Sequence, residues 1–195
     1  MSDSAKPEVT SQKSKVQSPE SRPARPVVVV SKCLLGERCR YDGKTISAPW
    51  IQALSPAVRF VPVCPEVGIG LDVPRLPIRL VDTGRGIRLI QTKTGKDLTR
   101  KMRLFCRRFL AEYEPDGFIL KARSPSCAAE DAQVYDELGR ETGIELHGIL
   151  TDEALDRSQF ALVEDEEGLR DPDRMADFLT RLRASKPAPR KGRNR

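Results

Sequence analysis

Long apolar stretches and closely spaced cysteine pairs are both missing from this sequence. No apolar run approaches the ~18–20 residues that a membrane-spanning helix needs, and the polar residues 1–6 lack the apolar core of a secretory signal. These absences predict a cytoplasmic protein with no membrane partner. The five cysteines are an odd number, which argues against a fully paired disulfide framework. In a reducing compartment, such cysteines are more often metal ligands or catalytic groups.

A uniformly basic surface is also lacking, although the formal net charge is +6. Residues 1–26 carry a net charge of +2 and residues 184–195 one of +5, which leaves the residues between them close to neutral at −1. The core therefore gives no support for a nucleic-acid-binding face. Only the basic tails are expected to contact nucleic acid, and then weakly.

The composition divides the chain into three parts. Residues 1–25 are rich in Ser, Lys, Gln and Pro, and residues 184–195 in Pro, Arg and Lys. Neither segment can bury enough apolar surface to offset the entropy lost on ordering. We expect both to be disordered tails on a single domain formed by residues 26–183.

Strand and helix patterns alternate within the predicted domain. Residues 27–30 are four valines, typical of a strand buried on both faces. Residues 58–63 and 117–121 predict further strands, and residues 98–113 have apolar positions three and four apart, as in an amphipathic helix. This alternation predicts an α/β fold with a mostly parallel sheet flanked by helices, in a Rossmann-like arrangement with ligand loops at the strand ends.

Weaker patterns predict the remaining elements. They are a helix at 48–54, a hairpin at 78–81 and 86–91, a helix at 131–140, a strand at 144–150 and a terminal helix at 171–182. Residues 152–168 match no pattern. Cys106 falls on the apolar face of the 98–113 helix, so we expect it in the core as a small buried hydrophobe.

Three cysteines stand where predicted strands end, and they carry the functional hypothesis. Cys33, Cys64 and Cys127 each follow an apolar run within a few residues, and ligands of parallel sheets bind at the carboxyl ends of strands. Their spacing favours equally an iron–sulfur site, a zinc site or unligated buried cysteines. Structural zinc usually has four ligands at short spacings, whereas three thiolates on a 4Fe–4S cluster would leave one iron open as a Lewis acid.

Two polar residues near these cysteines are candidate catalytic groups. Glu66 follows Cys64 by two positions and Ser124 precedes Cys127 by three. A carboxylate and a hydroxyl beside an electrophilic metal can transfer protons and place a water molecule. The alternative is a solvated loop acid and an ordinary turn residue.

Charged residues flank the same loops and are candidate substrate contacts. They are Arg40, Asp42, Arg75 and Arg123. The alternative for the arginines is a surface salt bridge of little energetic value. Cys39 lies six residues after Cys33, near enough to be a fourth ligand, but we expect it to pack inside the loop.

Short motifs in the first two thirds of the chain resemble the thiouracil desulfidase family. They are residues 31–36 with 39–43, 62–66, 74–75, 95–97 and 121–127. The resemblance covers residues 27–127 and implies a 4Fe–4S cluster held by three cysteines, which match Cys33, Cys64 and Cys127. It also implies that the open iron takes the sulfur of a thiolated nucleobase without net redox change. The family's acidic residue and serine match Glu66 and Ser124, and the resemblance implies that both move protons or activate water.

The sequence therefore predicts a cluster-dependent desulfidase. Its expected reaction converts C=S to C=O in a thiolated nucleobase or similar small heterocycle and releases sulfide. One alternative is a non-catalytic metal- or iron–sulfur-binding module. Another is a modifier of thiolated RNA that the basic tails recruit.

Overall fold

Strands and helices alternate along the residues that the computed structural model describes, 25–158 and 161–184. Within these ranges the strands are β1 (Val27–Ser31), β2 (Arg59–Val63), β3 (Ile78–Asp82), β4 (Ile87–Gln91), β5 (Gly117–Leu120), β6 (Ala132–Tyr135), β7 (Glu141–Leu146) and β8 (Val163–Asp165). The α-helices are α1 (Pro49–Gln52), α2 (Pro65–Gly68), α3 (Thr99–Glu112), α4 (Ile149–Arg157) and α5 (Pro172–Ala184). Short 3₁₀ helices cover Lys32–Leu35 and Gly168–Arg170.

The first sheet is parallel throughout, with strand order β2-β1-β5-β8. Val29 of β1 is aligned with Val61 of β2 on one side and with Phe118 of β5 on the other. Because neighbouring strands run in one direction, their carboxyl ends meet at one edge of the sheet. The predicted α/β fold with a mostly parallel sheet is confirmed.

The valines of β1 explain why helices cover both faces of this sheet. Residues 28–30 are completely buried, and β-branched side chains suit a pleated surface. Successive side chains point to opposite faces, so Val29 shares a buried cluster with Met102 of α3, and Val28 shares the other with Phe178 of α5. Fully burying one such side chain stabilises the fold by about 1.5–3 kcal/mol.

A second sheet, which the sequence did not predict, has the order β4-β3-β6-β7. The antiparallel hairpin of β3 and β4 was predicted, and Leu80 lies opposite Leu89 within it. β6 pairs in parallel with β3 and antiparallel with β7. The segment after Cys127 therefore adds strands to the hairpin before it returns to the first sheet as β8.

The predicted helix at residues 131–140 is wrong, because this segment forms β6 and a turn. Ala132 and Val134 are buried while the residues that alternate with them are partly exposed, which is the period of a strand. Asp136 closes the turn by accepting the backbone N–H of Arg140 at 2.8 Å. The sequence of this segment fits both a short strand with alternating apolar residues and a weakly amphipathic helix. Pairing with β3 makes it a strand.

The predicted strand at residues 144–150 is correct only in its first part. β7 ends at Leu146 and α4 begins at Ile149. Gly148 lies between them, so close to the Cys127 loop that an added Cβ would be 2.5 Å from the backbone nitrogens of Cys127 and Ala128. A side chain would not fit here, so glycine allows the link between β7 and α4 to pass against the Cys127 loop.

Helix α3 forms where its apolar spacing predicted it. Asp97 accepts the backbone N–H of Thr99 at 2.8 Å and so supports the first turn. Met102, Cys106 and Leu110 form its buried face. Cys106 is completely buried, which confirms its predicted place in the core.

A buried carboxylate ties α3 to α4. The side chain of Glu153 on α4 is 3% exposed and accepts hydrogen bonds from Arg103 at 2.7 Å and Arg107 at 2.6 Å. Burial opposes ionisation of Glu153, but the hydrogen bonds from Arg107 and Arg103 outweigh it and lower the pKa of this carboxyl. The two helices are therefore joined by a charge-assisted link beside their apolar contact.

Helix α5 is the last element of the described residues. Asp171 accepts the N–H of Asp173 at 2.9 Å, the capping interaction expected before a helix that begins with proline. The tails predicted to be disordered fall, apart from residues 25 and 184, outside the described residues, and the domain boundaries remain predictions. No helix among the described residues is long and apolar enough to cross a membrane.

Candidate functional site

The ends of β2, β1 and β5 bring the three predicted cysteines to one cavity. Cys33 lies in the 3₁₀ helix that follows β1, Cys64 directly follows β2, and Cys127 lies in the loop after β5. These three strands are adjacent and parallel, so the predicted convergence is observed. All three cysteines line a cavity of about 330 Å³, and Cys33 and Cys127 are buried.

Hydrogen bonds hold the Cys127 loop in place from several directions. The backbone carbonyl and hydroxyl oxygens of Ser124 both accept the N–H of Cys127, at 3.1 and 3.2 Å. Thr151 of α4 donates to the Cys127 carbonyl at 3.0 Å. Arg123 has a φ of 60°, which is costly for a residue with a side chain, and its N–H is held by Asp131 at 2.7 Å. The loop is thus preorganised around Cys127.

A fourth thiol, that of Cys39, lines the same cavity. It is buried, and its backbone carbonyl accepts a hydrogen bond from the Cys64 thiol at 3.7 Å. Hydrogen bonding with Cys33 raises the pKa of Cys39 to about 11, and hydrogen bonding with Cys39 together with burial raises the pKa of Cys64. Burial raises the pKa of Cys127 to about 12, although a hydrogen bond with Ser31 opposes the rise. These shifts all favour the neutral thiol over the thiolate.

The chemistry of the donors fits a sulfur-loving group. Four thiols and no histidine line the cavity, and thiolates select soft metals and iron–sulfur clusters. A bound cluster would supply the positive charge that thiolates need in a buried place. Within residues 25–158 and 161–184, no group of three His, Cys, Asp or Glu residues is arranged to hold a single metal ion.

Glu66 is held at the cavity by two residues from other segments. Arg75 donates to its Oε2 at 2.7 Å, and the Ser126 hydroxyl donates to its Oε1 at 2.8 Å. Ser126 also contacts the hydroxyl of Ser124 at 3.2 Å. The side chains of Glu66 and Arg75 are only 12% and 5% exposed. The two predicted catalytic groups are therefore connected, through a serine that the sequence did not single out.

The charged residues predicted to contact substrate lie at different depths. Arg40, Arg75 and Arg123 line the cavity, whereas Asp42 lies beside it, paired with Arg40 at 3.1 Å. Hydrogen bonding with Arg40 lowers the pKa of Asp42 to about 2. The guanidinium of Arg75 also donates to the Cys39 carbonyl at 2.9 Å. Arg75 thus links the Glu66 segment to the Cys39 loop.

A family model described as 2-thiouracil desulfurase matches residues 28–167. This span contains both sheets except Val27, the first residue of β1, and all of the cavity residues, and it exceeds half of the chain. The chain belongs to the 2-thiouracil desulfurase family. The resemblance stated from the motifs is therefore confirmed, as is the prediction that the protein is an enzyme of the desulfidase type.

Two known proteins are similar to this desulfurase family member. A solved structure described as [4Fe-4S]-dependent thiouracil desulfidase TudS is 30% identical, with a TM-score of 0.58, and the match covers 79% of this chain and 98% of that one. The uncharacterized protein YbbK of Bacillus subtilis (strain 168) is 32% identical over 111 residues, which is 53% of this chain and 74% of YbbK. The TudS match extends beyond the motifs to nearly the whole of that fold.

Two polar residues of the desulfurase cavity, Ser126 and Lys121, were not singled out from the sequence. Cys39 was considered as a fourth ligand but was expected to pack inside its loop. Lys121 lines the cavity and pairs with the buried Glu166. A signal for Ser126 was available, because it stands between Ser124 and Cys127 in one short loop. No local pattern connects Lys121 to a carboxylate 45 residues away.

Proposed function

We propose that this desulfurase family member replaces sulfur by oxygen in a thiolated nucleobase or similar small heterocycle and releases sulfide. The observation that carries the proposal is the shared cavity of three strand-end thiols, Glu66 and Ser124. The cavity of about 330 Å³ falls in the range of small-molecule sites. The family, and the similarity to a [4Fe-4S]-dependent thiouracil desulfidase, support the same reaction.

Cys33, Cys64 and Cys127 are the proposed ligands of a 4Fe–4S cluster with one iron not ligated by the protein. When bound, the cluster would supply a thiophilic Lewis acid for the substrate's sulfur. Cys39 is assigned to the wall of the cavity, where its carbonyl accepts a hydrogen bond from the proposed ligand Cys64. The five unpaired cysteines are in keeping with a reducing compartment, and we place the reaction in the cytoplasm.

Glu66 and Ser124 are the proposed proton-handling groups. Water supplies the oxygen of the product, so its protons must leave the reacting oxygen, while sulfide departs in a protonated form and no electrons are exchanged. Glu66 accepts a proton, and the Ser124 hydroxyl orients the water molecule. Arg75 holds Glu66 in place through the 2.7 Å ion pair.

The substrate ring is proposed to lie between the loops that follow β1 and β5. Arg40 and Arg123 face the cavity there, and Asp42 orients Arg40 through their ion pair. Arg75 faces the same space but has three hydrogen bonds within the protein. We therefore assign substrate contact first to Arg40 and Arg123, with Asp42 and Arg75 holding neighbouring groups in position.

Anaerobic purification followed by iron and acid-labile sulfide analysis tests the cluster. Cys33→Ser, Cys64→Ser and Cys127→Ser should each lower the iron content, whereas Cys106→Ala, in the core on α3, should not. Equal iron content in all four variants would contradict the ligand assignment.

Sulfide release from 2-thiouracil tests the reaction on the same preparations. Glu66→Gln should keep its iron and lose about 10²–10⁴-fold in kcat. Glu37→Gln, at an exposed acid paired with Lys32, is the matched control and should retain activity. A fully loaded wild-type protein that releases no sulfide from any thiolated base would refute the proposed function.

A further inference from the structure

We infer that Ser126 is a positioning residue that sets the direction of proton transfer between Ser124 and Glu66. This inference rests on the proposed function. Its basis is a continuous hydrogen-bonded series from the Ser124 hydroxyl through the Ser126 hydroxyl, at 3.2 Å, to Oε1 of Glu66, at 2.8 Å.

The single proton of each hydroxyl fixes the direction of the series. The Ser126 hydroxyl donates to Oε1 of Glu66 at 2.8 Å. Because its one hydroxyl proton is donated to Glu66, Ser126 can only accept a hydrogen bond from the Ser124 hydroxyl. Ser124 therefore donates towards Glu66, and every proton in the series points the same way.

The orientation of Ser124 has a consequence for water. Its oxygen already accepts the N–H of Cys127 at 3.2 Å and donates to Ser126, which leaves one acceptor position. A water molecule in the cavity can donate a proton to that position. The water's proton then passes to Ser124, the Ser124 proton to Ser126 and the Ser126 proton to Glu66. Both serines end with one proton each, Glu66 becomes a neutral acid, and the water oxygen is freed to attack carbon.

The surroundings hold Ser126 where this transfer requires it. Its side chain is buried, and its backbone carbonyl accepts the N–H of Leu150 in α4 at 2.9 Å. Arg75 occupies Oε2 of Glu66 and so leaves Oε1 to Ser126. The carboxylate is thus held between two donors from different loops.

Ser126→Ala in the cluster-loaded full-length protein tests the inference. We expect unchanged iron and acid-labile sulfide per chain, a KM for 2-thiouracil within about twofold, and kcat lowered by about 10- to 100-fold. The solvent deuterium isotope effect on kcat should also change, because the substitution removes one of the hydroxyl protons that are transferred in the series. Ser55→Ala, at an exposed serine after α1, is the matched control and should behave as wild type.

The double variant Ser124→Ala/Ser126→Ala separates a shared role from independent ones. Groups that act as a unit show non-additive losses, so the double variant should lose about as much kcat as Ser124→Ala alone. Losses that multiply, an unchanged kcat or isotope effect in Ser126→Ala, or loss of iron from that variant would each overturn the inference. Absence of sulfide release from loaded wild type and Ser55→Ala would instead refute the proposed function, and the role of Ser126 with it.

Discussion

Replacing Arg75 by methionine should destabilise the protein strongly although it removes no core residue. Arg75 donates to Glu66 at 2.7 Å, to the Cys39 carbonyl at 2.9 Å and to the Asp72 carbonyl at 3.2 Å. Removing one partner of a buried ion pair costs about 3–5 kcal/mol. The carboxylate that has lost its partner can avoid being buried as a charge by taking up a proton. Protonating a glutamate at pH 7 costs about 3.7 kcal/mol. Arg75→Met should therefore lower the free energy of unfolding by about 3–4 kcal/mol.

Urea-induced unfolding of the cluster-free protein at pH 7, followed by far-UV circular dichroism, measures this difference. Arg75→Lys keeps the charge but not the fork of donors, so it should lose about half as much. Arg85→Met, in the exposed turn between β3 and β4, should stay within about 0.5 kcal/mol of wild type. The reasoning is refuted if Arg75→Met remains within about 1 kcal/mol of wild type.

Three further predictions concern the framework around the cavity. Glu153→Gln should lower the free energy of unfolding by about 2 kcal/mol at pH 7. Two arginines lower the pKa of Glu153. The stability from this ionised carboxylate is therefore present above the usual glutamate pKa and is lost as the pH falls through the lowered pKa of Glu153. Thermal unfolding at pH 7 and pH 3 should show the difference shrinking in acid, and a constant difference would contradict it. Gly148→Ala should cost about 1–3 kcal/mol and reduce iron loading, because the new Cβ would press on the backbone of Cys127; iron analysis and thermal unfolding check this, and full loading with wild-type stability would contradict it. Cys106→Ala should cost about 1 kcal/mol and leave iron content unchanged in the same measurements, whereas lost iron would place Cys106 in the site.

The parallel sheet and the meeting of three cysteines were predictable because they depend on local signals. Four valines in a row indicate a strand buried on both faces, and a cysteine within a few residues after such a run lies near the strand's end. Once neighbouring strands are parallel, their ends share an edge. The α3 helix, with Cys106 on its buried face, was predictable for the same reason, since helical periodicity is visible in the sequence.

The second sheet was harder to predict because its strands are short and their pairing is non-local. Residues 131–140 show both a weak helical spacing of apolar residues and a four-residue alternation of apolar and polar residues. The segment's own sequence does not show whether it forms a helix or a strand. β3 and β6, which pair in the structure, are separated by about fifty residues. Pairing over such a distance decides the secondary structure without leaving a local pattern.

The sequence by itself placed three cysteines at predicted strand ends, with Glu66 and Ser124 near them in the chain, and so determined which groups we propose for the site of this desulfurase family member. Only the tertiary structure decided how these groups are connected. Ser126 meets Glu66 across 60 residues, and Arg75 meets the Cys39 carbonyl across 36. The physical reason is that residue patterns report periodicity and burial along one segment, whereas a hydrogen bond between loops depends on which strands are neighbours.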